Sequence, residues 1–268
     1  MAAEQSSLFG TLAPGRRVWA VAAIHGEAER LSALHAALGE RFALGDRLVY
    51  LGNYLGHGPD VAGTQDEMLA FRRQIIARPG VFAGDVAFLR GAQEEMWQKL
   101  LQLQLALNPG DVLRWMLARG VEATIAAYGG KPADGLAASR GGTLTLTRWT
   151  GALREAMVGH PGHRELMSHL KRACVTADGG LLFVHAGLDP ERPLETQRDA
   201  FWWNPGGFAR MAQPFDGFRR VVRGFDPDRR GFAIGAHTAT IDGGCGAGGP
   251  LVACCFSPEG EVLDRIEA

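Results

Sequence analysis

Apolar runs of strand length, each followed by a turn and then by apolar residues at helical spacing, recur along the first hundred positions. Arg17 to Ile24, rich in Val and Ala, precedes Glu27 to Leu38, where Leu31, Leu34 and Leu38 share one helical face. Arg47 to Leu51 precedes a predicted helix from about Val61 to Ala77, and Val86 to Leu89 precedes one starting near Glu94. Such units in succession predict a mostly parallel sheet with crossover helices. Its site belongs at the strand carboxyl ends, where the loops converge.

From Trp97 to Met167 the composition is helical, interrupted at Lys131 to Gly142 by a polar, Gly/Ala/Ser-rich stretch that reads as a mobile surface loop. Strands are predicted near Ala173 to Thr176 and Leu181 to His185. Further strands near Phe232 to Gly235, Thr238 to Asp242, Leu251 to Phe256 and Val262 to Ile266 are closely spaced, which favours antiparallel pairing within a second sheet. Residues 1–16 read as a disordered or loosely attached N-terminus, and 17–268 as a single domain.

With 268 residues and 46% hydrophobic content the chain can bury a core without staples. A formal net charge of −1 gives no overall pull toward nucleic acid or an anionic membrane, so neither is expected as a partner. Apolar stretches fall short of the roughly 20 residues that span a bilayer, and Glu4 with its polar neighbours replaces the apolar core of a signal peptide. A cytoplasmic location follows as the expectation. Cys174, Cys245, Cys254 and Cys255 lack zinc-finger spacing and read as buried small residues.

Chemistry concentrates in Ala22-Ala23-Ile24-His25-Gly26, Gly52-Asn53-Tyr54-Leu55-Gly56-His57-Gly58 and Gly91-Ala92-Gln93-Glu94, with His185 in Phe183-Val184-His185-Ala186-Gly187 and His237 in Gly235-Ala236-His237-Thr238. In order and spacing these segments resemble the motifs G-D-x-H-G, G-D-x-x-D-R-G and G-N-H-E and the two later histidines of the calcineurin-like metallophosphoesterases, phosphoprotein phosphatase branch, which includes serine/threonine phosphatases and diadenosine tetraphosphatase-like enzymes. The resemblance runs from about Val18 to Phe256. It implies an α/β sandwich of two mixed sheets flanked by helices, with a helical cap insert at about 97–170, and two divalent metals about 3.5–4 Å apart that activate a bridging hydroxide.

The same resemblance marks what has been replaced. Ala23 and Asn53 stand where the family places metal-binding aspartates, and Ala92 where it places a metal-binding asparagine. The remnant ligand set is His25, Asn53, His185 and His237. Gly56 and Gln93 occupy the positions of the acid and its histidine partner, and neither carries a usable proton. His57 replaces the phosphate-clamping arginine and lacks its bidentate fork. The expectation is a degenerate phosphatase without turnover, a pseudoenzyme retained to bind a protein partner or a phosphorylated ligand, with no cofactor. The alternative is a phosphoesterase with one zinc or manganese ion on the histidines.

Several neighbouring signals read more plainly. Glu94 is expected to brace its loop, Trp202-Trp203 to pack in the core, Asp60 and Asp242 to satisfy turns, and Arg219, Arg220, Arg223, Arg229 and Arg230 to form a solvated basic face. Asp85 and Asp178 are the aspartates that could swing into the site from outside the motifs.

Overall fold

The structure, a computed structural model, describes residues 8–268. Of the N-terminal stretch expected to be loose, residues 1–7 lie outside the described residues. Phe9–Leu12, by contrast, form strand β1, paired in parallel with β5 (Ala173–Thr176). The predicted strand–helix units appear as β2 (Val18–Val21), α1 (Ala28–Arg41), β3 (Arg47–Tyr50), α2 (Val61–Ile76), β4 (Val86–Phe88) and α3 (Ala92–Leu100). Strands β2, β3 and β4 are parallel neighbours.

The helical stretch continues through α4 (Pro109–Leu117), α5 (Val121–Ala127), α6 (Pro132–Arg140), α7 (Thr143–Val158) and α8 (His163–Ser168). The segment expected as a mobile loop is therefore largely helix α6. Pro132 opens that helix at a position where a missing N–H costs nothing, and Ala137 and Ala138 are strong helix formers. Buried Leu100, Leu113, Ile125, Leu146, Leu153 and Met157 form the core of the cap, which Leu55 and Val61 join from the sheet domain.

Strand β6 (Leu181–Val184) follows β5, and after α9 (Ala200–Trp203) and α10 (Pro205–Ala209) come β7 (Arg220–Arg223), β8 (Ala233–Ile234), β9 (Thr238–Thr240), β10 (Val252–Phe256) and β11 (Val262–Glu267). The sheets are ordered β1-β5-β6-β7-β9-β8 and β11-β10-β2-β3-β4. The last four strands thus do not share one sheet, as their spacing suggested: β8 and β9 extend one, β10 and β11 the other. Pairing of β7 with β9 is parallel, because the chain between them returns to the starting edge through β8.

Alternation along the strands decides which face meets what. Val18 and Ala20 of β2 face Leu181, Phe183 and Val222 of the opposite sheet, whereas Trp19 and Val21 face Leu31, Leu34 and Leu38 of α1. Buried Asp46, before β3, anchors this layer: it accepts from Arg17 Nε at 2.9 Å, Arg17 Nη2 at 2.7 Å, Trp19 Nε1 at 3.1 Å and Ala43 N at 2.9 Å. Asp46→Ala, which strands the Trp19 indole and Ala43 N–H groups, is expected to cost about 3 kcal/mol, and Asp46→Asn about half as much. Urea unfolding of the two variants measures the difference.

Candidate functional site

The carboxyl ends of β2, β3 and β4 and of β6 and β7 open toward one another. Short backbone bonds lace their loops together. His25 N donates to Asn53 O at 2.7 Å, Ala23 N to Gly224 O at 3.0 Å, and Gly224 N and Phe225 N both to His185 O at 3.1 Å. Gly224 allows this closeness, since a Cβ there would meet Leu51 Cβ at 2.4 Å. His25, Asn53 and His57 adopt left-handed backbone at φ 56°, 56° and 57°, a conformation that non-glycine residues hold only when their surroundings impose it.

Glu94 is the brace. Fully buried at the start of α3, it accepts from Asn53 N at 2.8 Å, Tyr54 N at 2.8 Å, Leu55 N at 3.1 Å and Gly91 N at 2.7 Å. Burial pushes its pKa up, and these donors pull against that rise. Asn53 completes the junction by accepting from Gln93 N at 2.9 Å and lying 3.4 Å from His25 Nε2.

His25 and His185 come together in this cleft. His185 Nδ1 lies 2.7 Å from the Leu51 carbonyl, a bond that places the proton on Nδ1 and leaves Nε2 as a bare, buried lone pair. His25 Nδ1 also lacks a partner in hydrogen-bond geometry, the Leu55 carbonyl exerting only a weak pull on the ring. Burial, reinforced by His57 and His185, pushes His25 down to about 3, and burial pushes His185 down to about 4. Both are neutral near pH 7.

His237 is not with them. It precedes β9, its carbonyl accepting from Val221 N near the start of β7, and sits three residues before the strand end at Thr240, roughly 10 Å away along the strand. Its expected place, one residue beyond the Gly224 turn, is taken by Phe225. The Phe225 ring stacks on His185 at 5.3 Å with a 9° interplanar angle and meets His25 edge-on at 5.5 Å. Choosing a histidine by identity led to Gly235-Ala236-His237. The signal that finds the right position is the apolar strand Val221-Val222 followed by a glycine at its end, a pattern shared with the other site loops.

Gly56 and Gln93 are adjacent, a Cβ on Gly56 falling 2.4 Å from Gln93 Oε1, and Gln93 donates through Nε2 to Arg119 O of the cap at 2.7 Å. His57 lies against Gly120 of the cap and makes an edge contact with His25 at 5.0 Å. Burial and the neighbouring Arg229 hold its pKa below the ordinary value. Ala23 and Ala92 are buried and supply no ligand atom. The cavity bounded by His25, His57, Phe225, Arg229, Asp242 and Gly246 measures about 50 Å³, room for a few waters. Gly246 closes over His25 so tightly that a Cβ would lie 2.4 Å from the histidine Cβ.

A two-metal centre does not fit these side chains. Two adjacent cations require anionic ligands, Ala23, Asn53 and Ala92 provide none, and a phenyl ring bridges the two imidazoles. Asp85 pairs with Arg47 at 3.0 Å and Asp178 accepts from Gly180 N at 3.1 Å, so neither enters the cleft. Asp60 caps α2 through Gly63 N at 2.8 Å, and Asp242 accepts from Asp226 N and Gly244 N at 2.8 Å each.

Within the basic cluster Arg219, Arg229 and Arg230 are exposed, as a solvated face requires, and Arg223 departs from it. Arg223 is 3% exposed, paired with fully buried Asp226 at 2.8 Å and lying over the Phe208 ring at 4.4 Å, while Arg229 reaches the cleft wall. Trp202 is buried and donates to Arg90 O at 2.7 Å, whereas Trp203 is 39% exposed and pairs edge-on with Trp115 of the cap at 5.8 Å. Among the described residues, one group of three metal-ligating side chains lies within mutual reach: Asp66, His160 and His163, outside the cleft.

No protein-family model matches the chain, and no curated protein matches it. Solved structures do. A protein assigned as a diadenosine tetraphosphatase superposes with a TM-score of 0.57 at 20% identity, covering 98% of each chain. A serine/threonine phosphatase from Saccharomyces cerevisiae gives 0.51 at 13% identity over 98% of this chain and 84% of its own, and a cold-active protein tyrosine phosphatase variant gives 0.51 at 14% over 100% and 84%. These likenesses show the calcineurin-like metallophosphoesterase fold: α/β, with two mixed sheets flanked by helices.

The depressed histidines set an acid limit. An unfolded imidazole takes up its proton below about pH 6.5, which folded His25 and His185 refuse until about 3 and 4, so the unfolded chain binds more protons and stability falls with pH across that window. By pH 4 each histidine is expected to remove about 3 kcal/mol. Urea midpoints measured from pH 7 to 4 should fall steeply in the wild type and less steeply in His25→Gln or His185→Gln.

Proposed function

We propose that this chain is a pseudophosphatase: a metallophosphoesterase fold that has given up hydrolysis and acts as a binding module for a protein partner. Phe225 carries the reading. Its ring bridges His25 and His185, where a metal would need open space and a ligand, and the cavity beside it is too small for a phosphoester with two hydrated ions. Loss of the acid pair at Gly56 and Gln93 removes proton transfer to a leaving group, a step that usually contributes 10²–10⁴-fold.

The surface that supports binding lies beside the cleft. Met96, Leu105, Val112, Trp115, Met116 and Trp203 line an apolar groove of about 500 Å³ where the cap meets the sheet domain. Leu105 is 76% exposed and Trp115 41%. Paired tryptophans supply large, rigid contact area, and methionines adapt to a bound segment. Arg119 lies over the Trp115 ring at 4.2 Å, and its carbonyl accepts from Gln93 Nε2 at 2.7 Å, so the groove and the cleft share one loop. A phosphorylated side chain on the partner would meet His57 and Arg229 at the cleft mouth. The proposal includes a cytoplasmic location, in keeping with four free, buried cysteines.

A one-metal phosphoesterase is the second reading, favoured by the unpartnered His25 Nδ1 and His185 Nε2. Elemental analysis and turnover of an aryl phosphate with added manganese or zinc separate the two. The wild type is expected to hold no metal in the cleft and to show no turnover above the uncatalysed rate; turnover abolished by His185→Ala would overturn the proposal. Ala23→Asp, Asn53→Asp, Ala92→Asn and Phe225→His combined are expected to create manganese binding in a protein that stays folded. In affinity capture, Trp203→Ala should weaken retention of the partner roughly tenfold or more without shifting the thermal midpoint.

A further inference from the structure

We propose that Asp66, His160 and His163 form a binding site for a single zinc-class divalent ion, separate from the cleft, that fastens the helical cap to the sheet domain. The residues come from different elements: Asp66 from α2, His160 from the turn after α7, and His163 from the first position of α8. One ligand atom from each lies within 4.8 Å of the other two.

The Asp66–His163 half of the site already has the right spacing. His163 Nε2 and Asp66 Oδ1 are 3.1 Å apart. Zinc bonds of about 2.0–2.1 Å in a tetrahedron place neighbouring donors about 3.3–3.4 Å apart. His160, half-buried, lies beside His163 with ring centroids at 4.9 Å and supplies the third donor by turning its ring. Two imidazoles and a carboxylate suit zinc, and the Asp66 side chain, 59% exposed, leaves the fourth position to water.

The surroundings of His163 are built to orient it. The ring is fully buried, and its Nδ1 lies 3.0 Å from Tyr128 Oη, which in turn lies 2.6 Å from Gln65 Nε2. Without an ion, the proton sits on Nε2 and is donated to Asp66, while Nδ1 accepts from Tyr128. Binding at Nε2 requires the other tautomer: the proton moves to Nδ1 and is donated to Tyr128 Oη, whose own proton then needs an acceptor. Gln65 Oε1, buried and without a partner, becomes that acceptor when the carboxamide turns over.

Titration of chelator-treated full-length protein with zinc chloride, by calorimetry and by thermal shift, tests the site. The expected result is one equivalent bound with a rise in thermal midpoint, and binding weakened roughly tenfold or more in Asp66→Asn and in His160→Ala. His25→Gln and His185→Gln should leave zinc binding unchanged, and cobalt(II) in place of zinc should give the visible bands of a tetrahedral ion. Because His163 is buried, the two outer variants carry the test. Absence of binding in the wild type, or full affinity in both Asp66→Asn and His160→Ala, would overturn the proposal. Loss of binding in the His25 or His185 variant alone would place the ion in the cleft, which contradicts this site and the pseudophosphatase reading separately.

Discussion

The Glu94 carboxylate holds together the two loops from which everything at the sheet edge is built. An anion buried without partners would cost several kcal/mol, and here it is matched by backbone donors at Asn53, Tyr54, Leu55 and Gly91. These donors belong to the turns after β3 and β4, so a single side chain sets their separation. That separation fixes Asn53 beside His25 and brings Gly56 against Gln93. The left-handed backbone at Asn53 is held by the same junction, and that at His57 by the bond of its N–H to Gly120 O.

The groups at the centre of the braced loops carry almost no charge. His25 and His185 are neutral, Asn53 is an amide, and the ring of Phe225 covers both imidazoles. Removing carboxylates from a buried two-cation site relieves the repulsion they would otherwise exert on one another without metal. The Phe225 ring packs against both imidazoles and walls the small cavity beside them.

The cap extends the same logic outward. Its apolar core is continuous with Leu55 and Val61 of the sheet domain, and polar contacts add to that seam: Gln93 to Arg119, Gly56 to Thr124 at 3.0 Å, and the α2 side chains Gln65 and Asp66 to Tyr128 and His163. The exposed apolar groove lies along this seam, bounded by Trp115 on the cap side and Trp203 on the other. A ligand or ion that changes how the cap sits would therefore change the groove.

The sequence by itself determined the strand–helix rhythm from Val18 to Leu100, the buried strands at Ala173 and Leu181 and the helical character of the cap, because these follow from local periodicity and residue chemistry. It also marked Glu94 as a brace. It misread α6 as a loop, since Gly and Ser weighed more than the Pro start and the alanines that follow. The partition of β8 to β11 between two sheets and the arrival of Arg229 at the cleft wall were decided by tertiary structure alone, and the place of Phe225 in the site shows along the chain only as the glycine that ends Val221-Val222. Register and sheet membership depend on pairings between residues far apart in the chain, and a histidine's identity says nothing about which end of its strand it occupies.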